Sequence, residues 1–185
     1  GRRAHPTNLH LVLEAVLFDW GDTLFHFAYD EELLEAGWEA GLAALEPAPP
    51  DVVVFLDGDY SDHPEELPRL LDGIAAGADL VIGSRTLGKR EPGALLPQAR
   101  FGNALACSLI RLLYGRRYTD LGPFRAIRWN ALRQLRMQDR TFGWTVEMQV
   151  KAARAGLRIA ETPVSMNWWG WARVIGLSGR PLTWR

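Results

Sequence analysis

Two aspartates, Asp57 and Asp59, follow a short apolar run in the segment VVVFLDGDYSDHP at residues 52–64. A single glycine separates them, so the two carboxylates can point to a common centre. Carboxylate oxygens are hard ligands that suit Mg²⁺ or Mn²⁺, especially where a bound diphosphate supplies the remaining oxygens. The pattern predicts a divalent cation site or, as the alternative, a turn whose acids are solvated or cap the next helix.

The apolar run before these aspartates is typical of a buried β-strand. It is rich in β-branched residues, with Pro49 and Pro50 in front and Gly58 behind. Full burial suggests a parallel sheet covered on both faces, and in such sheets ligands bind beyond the carboxyl ends of the strands. The candidate cation site therefore lies where this class of fold binds its ligands.

A helix is predicted directly after the two aspartates. Asp62 is expected to be its N-cap, with Glu65 as the second half of a capping box and Pro64 in the first turn. Apolar residues recur at helical spacing up to Ile74, and Gly77 is expected to end the helix. These signals favour a capping role for Asp62 over a role as a metal ligand.

Strands and helices continue to alternate along the chain, which favours an α/β sandwich. A second buried strand at 80–82 leads to Arg85, and a polar loop of about 15 residues follows. Further segments are helical at 100–113, 131–137 and 144–155, and extended at 157–165. Gly156 is expected to end the last of these helices, in which the spacing of Glu147 and Lys151 favours an ion pair. We therefore predict a mainly parallel sheet flanked by helices.

The composition is that of a globular domain with no strong charge excess. Of 185 residues, 48% are hydrophobic and 23% are charged, and the net charge of -1 gives no indication of nucleic-acid binding. The single cysteine, Cys107, is expected to be a small core residue. The chain shows no run of roughly 18 apolar residues and no apolar signal segment at its start, so we expect a cytoplasmic location.

Six segments between residues 37 and 165 together resemble, in order, the latter part of family-2 inverting glycosyltransferases. They are GWEAGLAAL, VVVFLDGDYSDHPEELPRLL, GADLVIGSR, LPQARFGNALACSLIRLLYG, TDLGPFRAIR and FGWTVEMQVKAARAGLRIAETPV. The resemblance is strongest to dolichol- and polyprenyl-phosphate sugar transferases. It implies a partial GT-A fold, which is Rossmann-like, and transfer of a sugar from a nucleotide sugar to a lipid phosphate or another acceptor.

The resemblance also implies roles for individual residues. Asp57 and Asp59 match the family's Asp-X-Asp motif, which holds Mg²⁺ or Mn²⁺ against the donor diphosphate. Arg85 and Arg125 match positions expected to contact phosphate, a task that suits the guanidinium group. Asp120 is predicted to be the general base that deprotonates the acceptor, the alternative being that it braces the adjacent Gly-Pro-Phe turn.

The two ends of the chain depart from this family. Residues 1–36 are predicted to be a separate segment, because AVLFDWGDTLF resembles motif one of haloacid dehalogenase-like phosphohydrolases, with Asp19 as the nucleophile. Residues 37–165 would be a truncated glycosyltransferase body, since the family's nucleotide-binding half should precede them. Residues 166–185 form a Trp-rich tail, which is interpreted as a partner or membrane-interface surface or, as the alternative, as a tail without a defined role.

Three functions stay open on the sequence alone. We favour metal-dependent sugar transfer, with a nucleotide sugar and a polyprenyl phosphate as partners and peripheral membrane association through the tail. The second is phosphoryl hydrolysis through Asp19. The third is a non-catalytic α/β remnant that serves in interactions.

Overall fold

A computed structural model describes residues 50–57, 61–89, 97–139 and 143–166. Within these ranges there are four strands and four helices, and two of the helices follow one another between the third and fourth strands. The strands are β1 (Val52–Phe55), β2 (Leu80–Ser84), β3 (Arg125–Arg128) and β4 (Ile159–Pro163). The helices are α1 (Leu67–Ala75), α2 (Pro97–Tyr114), α3 (Trp129–Leu135) and α4 (Trp144–Arg154), with a 3-10 turn at Pro64–Glu66 before α1. The predicted α/β class is therefore confirmed.

The sheet is mixed, so the prediction of a mainly parallel sheet was wrong. Its strand order is β1-β3-β2-β4, in which β3 runs antiparallel to both β1 and β2, while β2 and β4 are parallel. Strand β3 was not recognised because its four residues, RAIR, carry an arginine at each end and give no apolar run. Because β3 lies between β1 and β2, its first residue is beside the carboxyl ends of both of these strands.

Both faces of the sheet are covered, as the apolar character of β1 indicates. Alternate strand residues pack in opposite directions: Val53 and Phe55 pack with α2, α3 and α4, whereas Val52 and Val54 pack with α1. All four side chains are buried. Burial of one such side chain contributes about 1.5–3 kcal/mol, so this double layer fixes β1, and hence Asp57, firmly in the fold.

The predicted capping box at the start of α1 was wrong. The residue before the 3-10 turn is His63, and it makes no side-chain capping hydrogen bond. Asp62 is instead buried, and its Oδ2 accepts a hydrogen bond from the backbone N–H of Asp57 at 3.3 Å. The side chain therefore faces the end of β1 rather than the helix. Pro64 begins the turn, as expected.

The other local predictions for the helices are confirmed. Gly77 (φ 105°) follows α1 and Gly156 (φ 68°) follows α4, in the left-handed conformation that ends helices. Glu147 and Lys151, whose spacing predicts an ion pair, lie 2.7 Å apart. Glu147 also accepts backbone hydrogen bonds from residues 138 and 139. It thus ties the segment after α3 to α4.

Cys107 is buried on α2, as predicted. Burial raises the pKa of its thiol to about 11, so the sulfur stays protonated at neutral pH and is not a nucleophile there.

Across the part of the chain that the structure describes, no helix has both the length and the apolar character to cross a membrane.

Candidate active site

Three of the predicted site residues meet at one end of the sheet. Asp57 lies two residues beyond β1, Arg85 directly follows β2, and Asp120 lies in the turn before β3. The first residue of β3 pairs with Phe55 of β1 and with Ile82 of β2. Because β3 is antiparallel to both, its preceding turn lies beside the ends of the other two strands. The antiparallel strand that sequence reasoning missed therefore assembles the site.

A buried ion pair between Arg85 and Asp120 is the centre of this site. Arg85 donates from Nε to Oδ2 and from Nη2 to Oδ1, each at 2.8 Å. Two backbone N–H groups, of Arg85 and Leu121, also donate to the carboxylate, at 2.7 and 2.8 Å. The Asp120 side chain is fully buried and that of Arg85 is only 16% exposed. Each carboxylate oxygen therefore accepts two hydrogen bonds.

Both members of the pair remain ionised near neutral pH. Burial by itself would raise the pKa of Asp120, but the hydrogen bonds and charge of Arg85 outweigh it and hold the pKa below its usual value. Burial would likewise lower the pKa of Arg85, and Asp120, helped by the charges of Asp62 and Asp57, holds it above its usual value. The guanidinium of Arg85 thus lies within the electrostatic field of three carboxylates.

Side chains from three different elements hold the turn at 119–122. Glu161 of β4 accepts hydrogen bonds from the backbone N–H of Thr119 at 2.8 Å and from its hydroxyl at 2.9 Å. Asn103 of α2 accepts from a backbone N–H of the turn at 2.9 Å, and Gln149 of α4 donates to one of its carbonyls at 2.9 Å. Sequence reasoning missed all three, since each is 18 or more residues from its partner.

Arg125 lies in the core beneath the same turn. Its guanidinium donates to the backbone carbonyls of Thr145 at 3.1 Å, Leu121 at 3.2 Å and Gly122, and it lies 4.9 Å from the centre of the Trp144 ring. Burial lowers the pKa of Arg125 to about 9. The side chain is fully buried. The structure therefore gives it backbone partners, and phosphate contact by this residue stays a prediction.

The candidate cation site is described only in part. Asp57 lies at the end of β1 beside Asp62, whereas Asp59 lies in 58–60, outside the described residues. Within the described ranges, no three His, Cys, Asp or Glu side chains come together as a metal-binding group. The carboxylates near Arg85 are nevertheless hard oxygen donors that suit Mg²⁺ or Mn²⁺ when a diphosphate supplies most of the remaining ligands.

A groove of about 700 Å³ runs between α2 and the turn that carries Asp120. Its polar lining includes Thr86, Arg100, Asn103 and Thr119. Thr86 and Thr119 are the neighbours in sequence of Arg85 and Asp120, so the groove opens directly beside the ion pair. A second cavity of about 420 Å³ lies near Asp79 and Arg128, at the opposite end of the strands. The first groove is therefore the better candidate for substrate binding.

The remaining sequence predictions fall outside the described residues. Asp19 and the phosphohydrolase-like segment lie within residues 1–49, and almost all of the Trp-rich tail lies within 167–185. Their proposed roles stay predictions.

Two solved structures share this fold. One is a crystal structure of a mycobacterial protein, with a TM-score of 0.51 and 23% identity over 71% of this chain and 42% of that one. The other is glucosyl-3-phosphoglycerate synthase from Mycobacterium tuberculosis, in complex with phosphoglyceric acid. It has a TM-score of 0.51 and 22% identity, covering 72% of this chain and 45% of that one. At this identity the likeness shows the fold alone, which is the predicted GT-A fold.

Residues 34–159 match glycosyl transferase family 2, and the chain belongs to this family. An undecaprenyl-phosphate mannosyltransferase from Micrococcus luteus is 39% identical over 123 residues, which are 62% of this chain and 49% of that protein. A polyprenol monophosphomannose synthase from Mycolicibacterium smegmatis is 30% identical over 124 residues, 63% and 45% of the two chains. The chain thus spans about half the length of the curated relatives that it matches.

Proposed function

We propose that this chain forms part of a glycosyltransferase that moves a sugar from a nucleotide sugar to a polyprenyl phosphate. Membership of the family supports sugar transfer, and the names of two relatives include a polyprenyl or polyprenol phosphate. The observation that carries the choice of acceptor is the buried Arg85–Asp120 pair, in which the carboxylate already accepts four hydrogen bonds.

The chemistry of the acceptor connects this pair to the function. An acceptor hydroxyl must lose a proton as it attacks, which calls for a general base with a pKa near the working pH. A phosphate monoester loses its second proton near pH 6, so its oxygen is already a nucleophile at neutral pH. Asp120 has a lowered pKa, and both of its carboxylate oxygens already accept hydrogen bonds. An acceptor that ionises by itself is therefore the better match.

In this proposal Asp120 is a positioning residue, and its role as a general base stays the alternative prediction. It holds Arg85 in one orientation at the end of β2, which reduces the entropy lost when a phosphate binds. Arg125 fixes the carbonyls of the turn from below. Asp57 and Asp59 would hold Mg²⁺ or Mn²⁺. When bound, the cation would neutralise charge on the departing nucleoside diphosphate.

Donor binding is tested by thermal unfolding with Mn²⁺ or Mg²⁺ and UDP, GDP or their sugars. At about a hundredfold excess over Kd, a ligand that binds only the native state adds about 2.7 kcal/mol, or roughly 5–10 °C in the midpoint for a chain of this size. We expect such a metal-dependent rise for one nucleotide, and its loss in Asp57→Asn and Asp59→Asn.

The matched control for that experiment is Asp72→Asn, which removes an exposed carboxylate from α1. It should leave the metal-dependent shift unchanged. A cooperative transition that no nucleotide shifts, or an equal shift in the Asp57 and Asp59 variants, would contradict the proposed donor site.

The acceptor is tested by comparing a short isoprenyl phosphate with the corresponding isoprenol. We expect sugar transfer to the phosphate only, with a rate that rises with pH around the second ionisation of the phosphate, near pH 6. Transfer to the isoprenol at a similar rate would instead support Asp120 as the general base. Product formation, followed with a radiolabelled sugar, distinguishes these two outcomes.

A further inference from the structure

Three hydroxyl groups form a hydrogen-bonded chain beside the Arg85–Asp120 pair. Ser84, at the end of β2, is fully buried, and its Oγ lies 2.7 Å from Thr119 Oγ1 and 2.9 Å from Thr86 Oγ1. The Thr119 hydroxyl in turn lies 2.9 Å from Oε1 of Glu161 on β4. Thr86 and Thr119 both line the groove. The chain therefore connects the wall of the groove, through a buried serine, to a carboxylate.

The carboxylate of Glu161 fixes the direction of these hydrogen bonds. A hydroxyl has one proton to donate, and an ionised carboxylate only accepts. Thr119 therefore donates to Glu161, and Ser84 must donate to Thr119. The Ser84 oxygen then accepts from the backbone N–H of Leu87 at 3.3 Å and from the Thr86 hydroxyl. Thr86 can also donate to the carbonyl of Thr119 at 2.9 Å. With either partner, the only hydroxyl proton of Thr86 stays within the protein.

Thr86 consequently offers the groove a hydrogen-bond acceptor. A hydroxyl oxygen has two lone pairs, and in the described part of the chain no other group donates to this one. An acceptor attracts a ligand O–H group, whereas it repels an ionised phosphate oxygen, which carries no proton to share. The groove at Thr86 therefore favours a ligand hydroxyl over a phosphate oxygen.

Asn103 places a donor close to this acceptor. Its Oδ1 accepts from the backbone N–H of Leu121 at 2.9 Å, which fixes the orientation of the amide. Its Nδ2 donates to the carbonyl of Thr119 at 3.2 Å, and the second N–H has no protein partner among the described residues. Thr86 lies within hydrogen-bond distance of the same carbonyl oxygen. The donor and the acceptor are thus close enough to contact one ligand hydroxyl, or two adjacent ones, and a hydroxyl both donates and accepts.

We propose that Thr86 and Asn103 recognise a hydroxyl of the transferred sugar, an inference that rests on the proposed function. Thr86 directly follows Arg85, for which contact with phosphate is predicted, and the transferred sugar is bonded to the donor diphosphate. A polyprenyl phosphate carries no hydroxyl outside its phosphate group, so the nucleotide sugar is the substrate that fits. In this arrangement Arg85 selects the charge of the donor and its neighbour Thr86 selects the sugar.

Calorimetric titration of the full 185-residue chain with Mn²⁺ present tests the proposal. The ligands are GDP-mannose compared with GDP, and UDP-glucose compared with UDP. We expect Thr86→Val to weaken binding of the nucleotide sugar about three- to tenfold, the range for one lost hydrogen bond, and to leave the nucleotide alone unchanged. Thr86→Ser keeps a hydroxyl and should restore most of the affinity. The matched control is Thr162→Val on β4, outside the groove, which should change neither affinity.

Nucleotide sugars with one sugar hydroxyl replaced by fluorine test the direction of the hydrogen bond. Fluorine occupies the place of the hydroxyl oxygen but cannot donate. At the position that contacts Thr86, the analogue should bind the wild-type chain about three- to tenfold more weakly than its parent. In Thr86→Val the same analogue and its parent should bind equally, because the acceptor is gone. The same loss in both proteins would overturn the proposed contact.

The other outcomes separate this inference from the proposed function. Equal weakening of the nucleotide and the nucleotide sugar by Thr86→Val would assign the contact to the ribose and overturn recognition of the transferred sugar. Unchanged affinity for the nucleotide sugar in Thr86→Val, while the nucleotide itself binds, would overturn this inference alone. A wild-type chain that binds no nucleotide and no nucleotide sugar would contradict the proposed donor site and this inference together.

Discussion

Replacing Asp120 by Asn is expected to lower the free energy of unfolding by about 3–5 kcal/mol. The substitution keeps the size of the side chain but removes the charge that pairs with Arg85, whose guanidinium is largely buried. A buried cation without its partner retains the full cost of leaving water. Two backbone N–H groups also lose a charged acceptor. We therefore expect the largest loss of any single charge change in the described part of the chain.

Urea unfolding followed by tryptophan fluorescence measures this loss. The matched control is Asp79→Asn, because Asp79 also makes a two-point pair with an arginine, Arg158, at 2.9 and 3.2 Å. The Arg158 side chain is 69% exposed, so water replaces the lost partner and the effect should be much smaller. Equal losses in the two variants would show that burial does not determine the energy of the Arg85–Asp120 pair.

The same pair gives an acid dependence with a defined sign. The pKa of Asp120 is lower in the folded chain than in the unfolded chain, so its contribution is present above the unfolded value of about 3.9 and is lost as the pH falls through the folded value. Wild-type protein should therefore lose more stability than Asp120→Asn below about pH 4. Parallel pH profiles for the two proteins would contradict the lowered pKa.

Replacing Trp144 by Ala is expected to cost about 3–5 kcal/mol. Trp144 is buried at the start of α4, with its ring centre 5.0 Å from that of Phe55 and 4.9 Å from the guanidinium carbon of Arg125. The substitution leaves a cavity against β1 and removes the aromatic face from a fully buried cation. Because Arg125 holds the carbonyls of the turn at 119–122, the loss should extend to the candidate site.

Trp144→Phe is the matched comparison for that variant. It keeps an aromatic ring at the same position, so most of the packing and part of the cation–π contact remain, and the loss of stability should be clearly smaller than for Ala. Chemical unfolding of both variants measures the two losses in the free energy of unfolding. A loss below about 1 kcal/mol for Trp144→Ala would fall outside the range for burial of this ring and would contradict its packed position.

Several features of the protein were predicted from the sequence alone. Strands β1 and β2 were predicted from their apolar runs, and the ends of α1 and α4 from Gly77 and Gly156. The ion pair of Glu147 with Lys151 followed from helical spacing alone. The ordered motifs predicted family 2, and the match over residues 34–159 confirms it. The strands, the helix ends and the ion pair each depend on residues close together in the chain, so local physical preferences are sufficient to determine them, whereas the family was recognised from the order of segments spread over residues 37–165.

Local patterns were insufficient where the backbone changes direction. Asp62 has the residue type and position of an N-cap, yet its carboxylate turns to the N–H of Asp57 because the chain bends back toward β1. Strand β3 gives no apolar run, and it becomes a strand only because β1 and β2 are both available for pairing. In both cases a tertiary partner overrides the local preference.

The sequence by itself determined the class of fold, the family and the residue types available at the site. Only the tertiary structure decided how these residues are used: that Asp120 pairs with an arginine 35 positions away, that Arg125 is enclosed in the core, and that the outer face of α2 has solvent beside it. The physical reason is that hydrogen-bond partners and burial depend on which elements pack together. For these residues the neighbours that matter are distant in the chain.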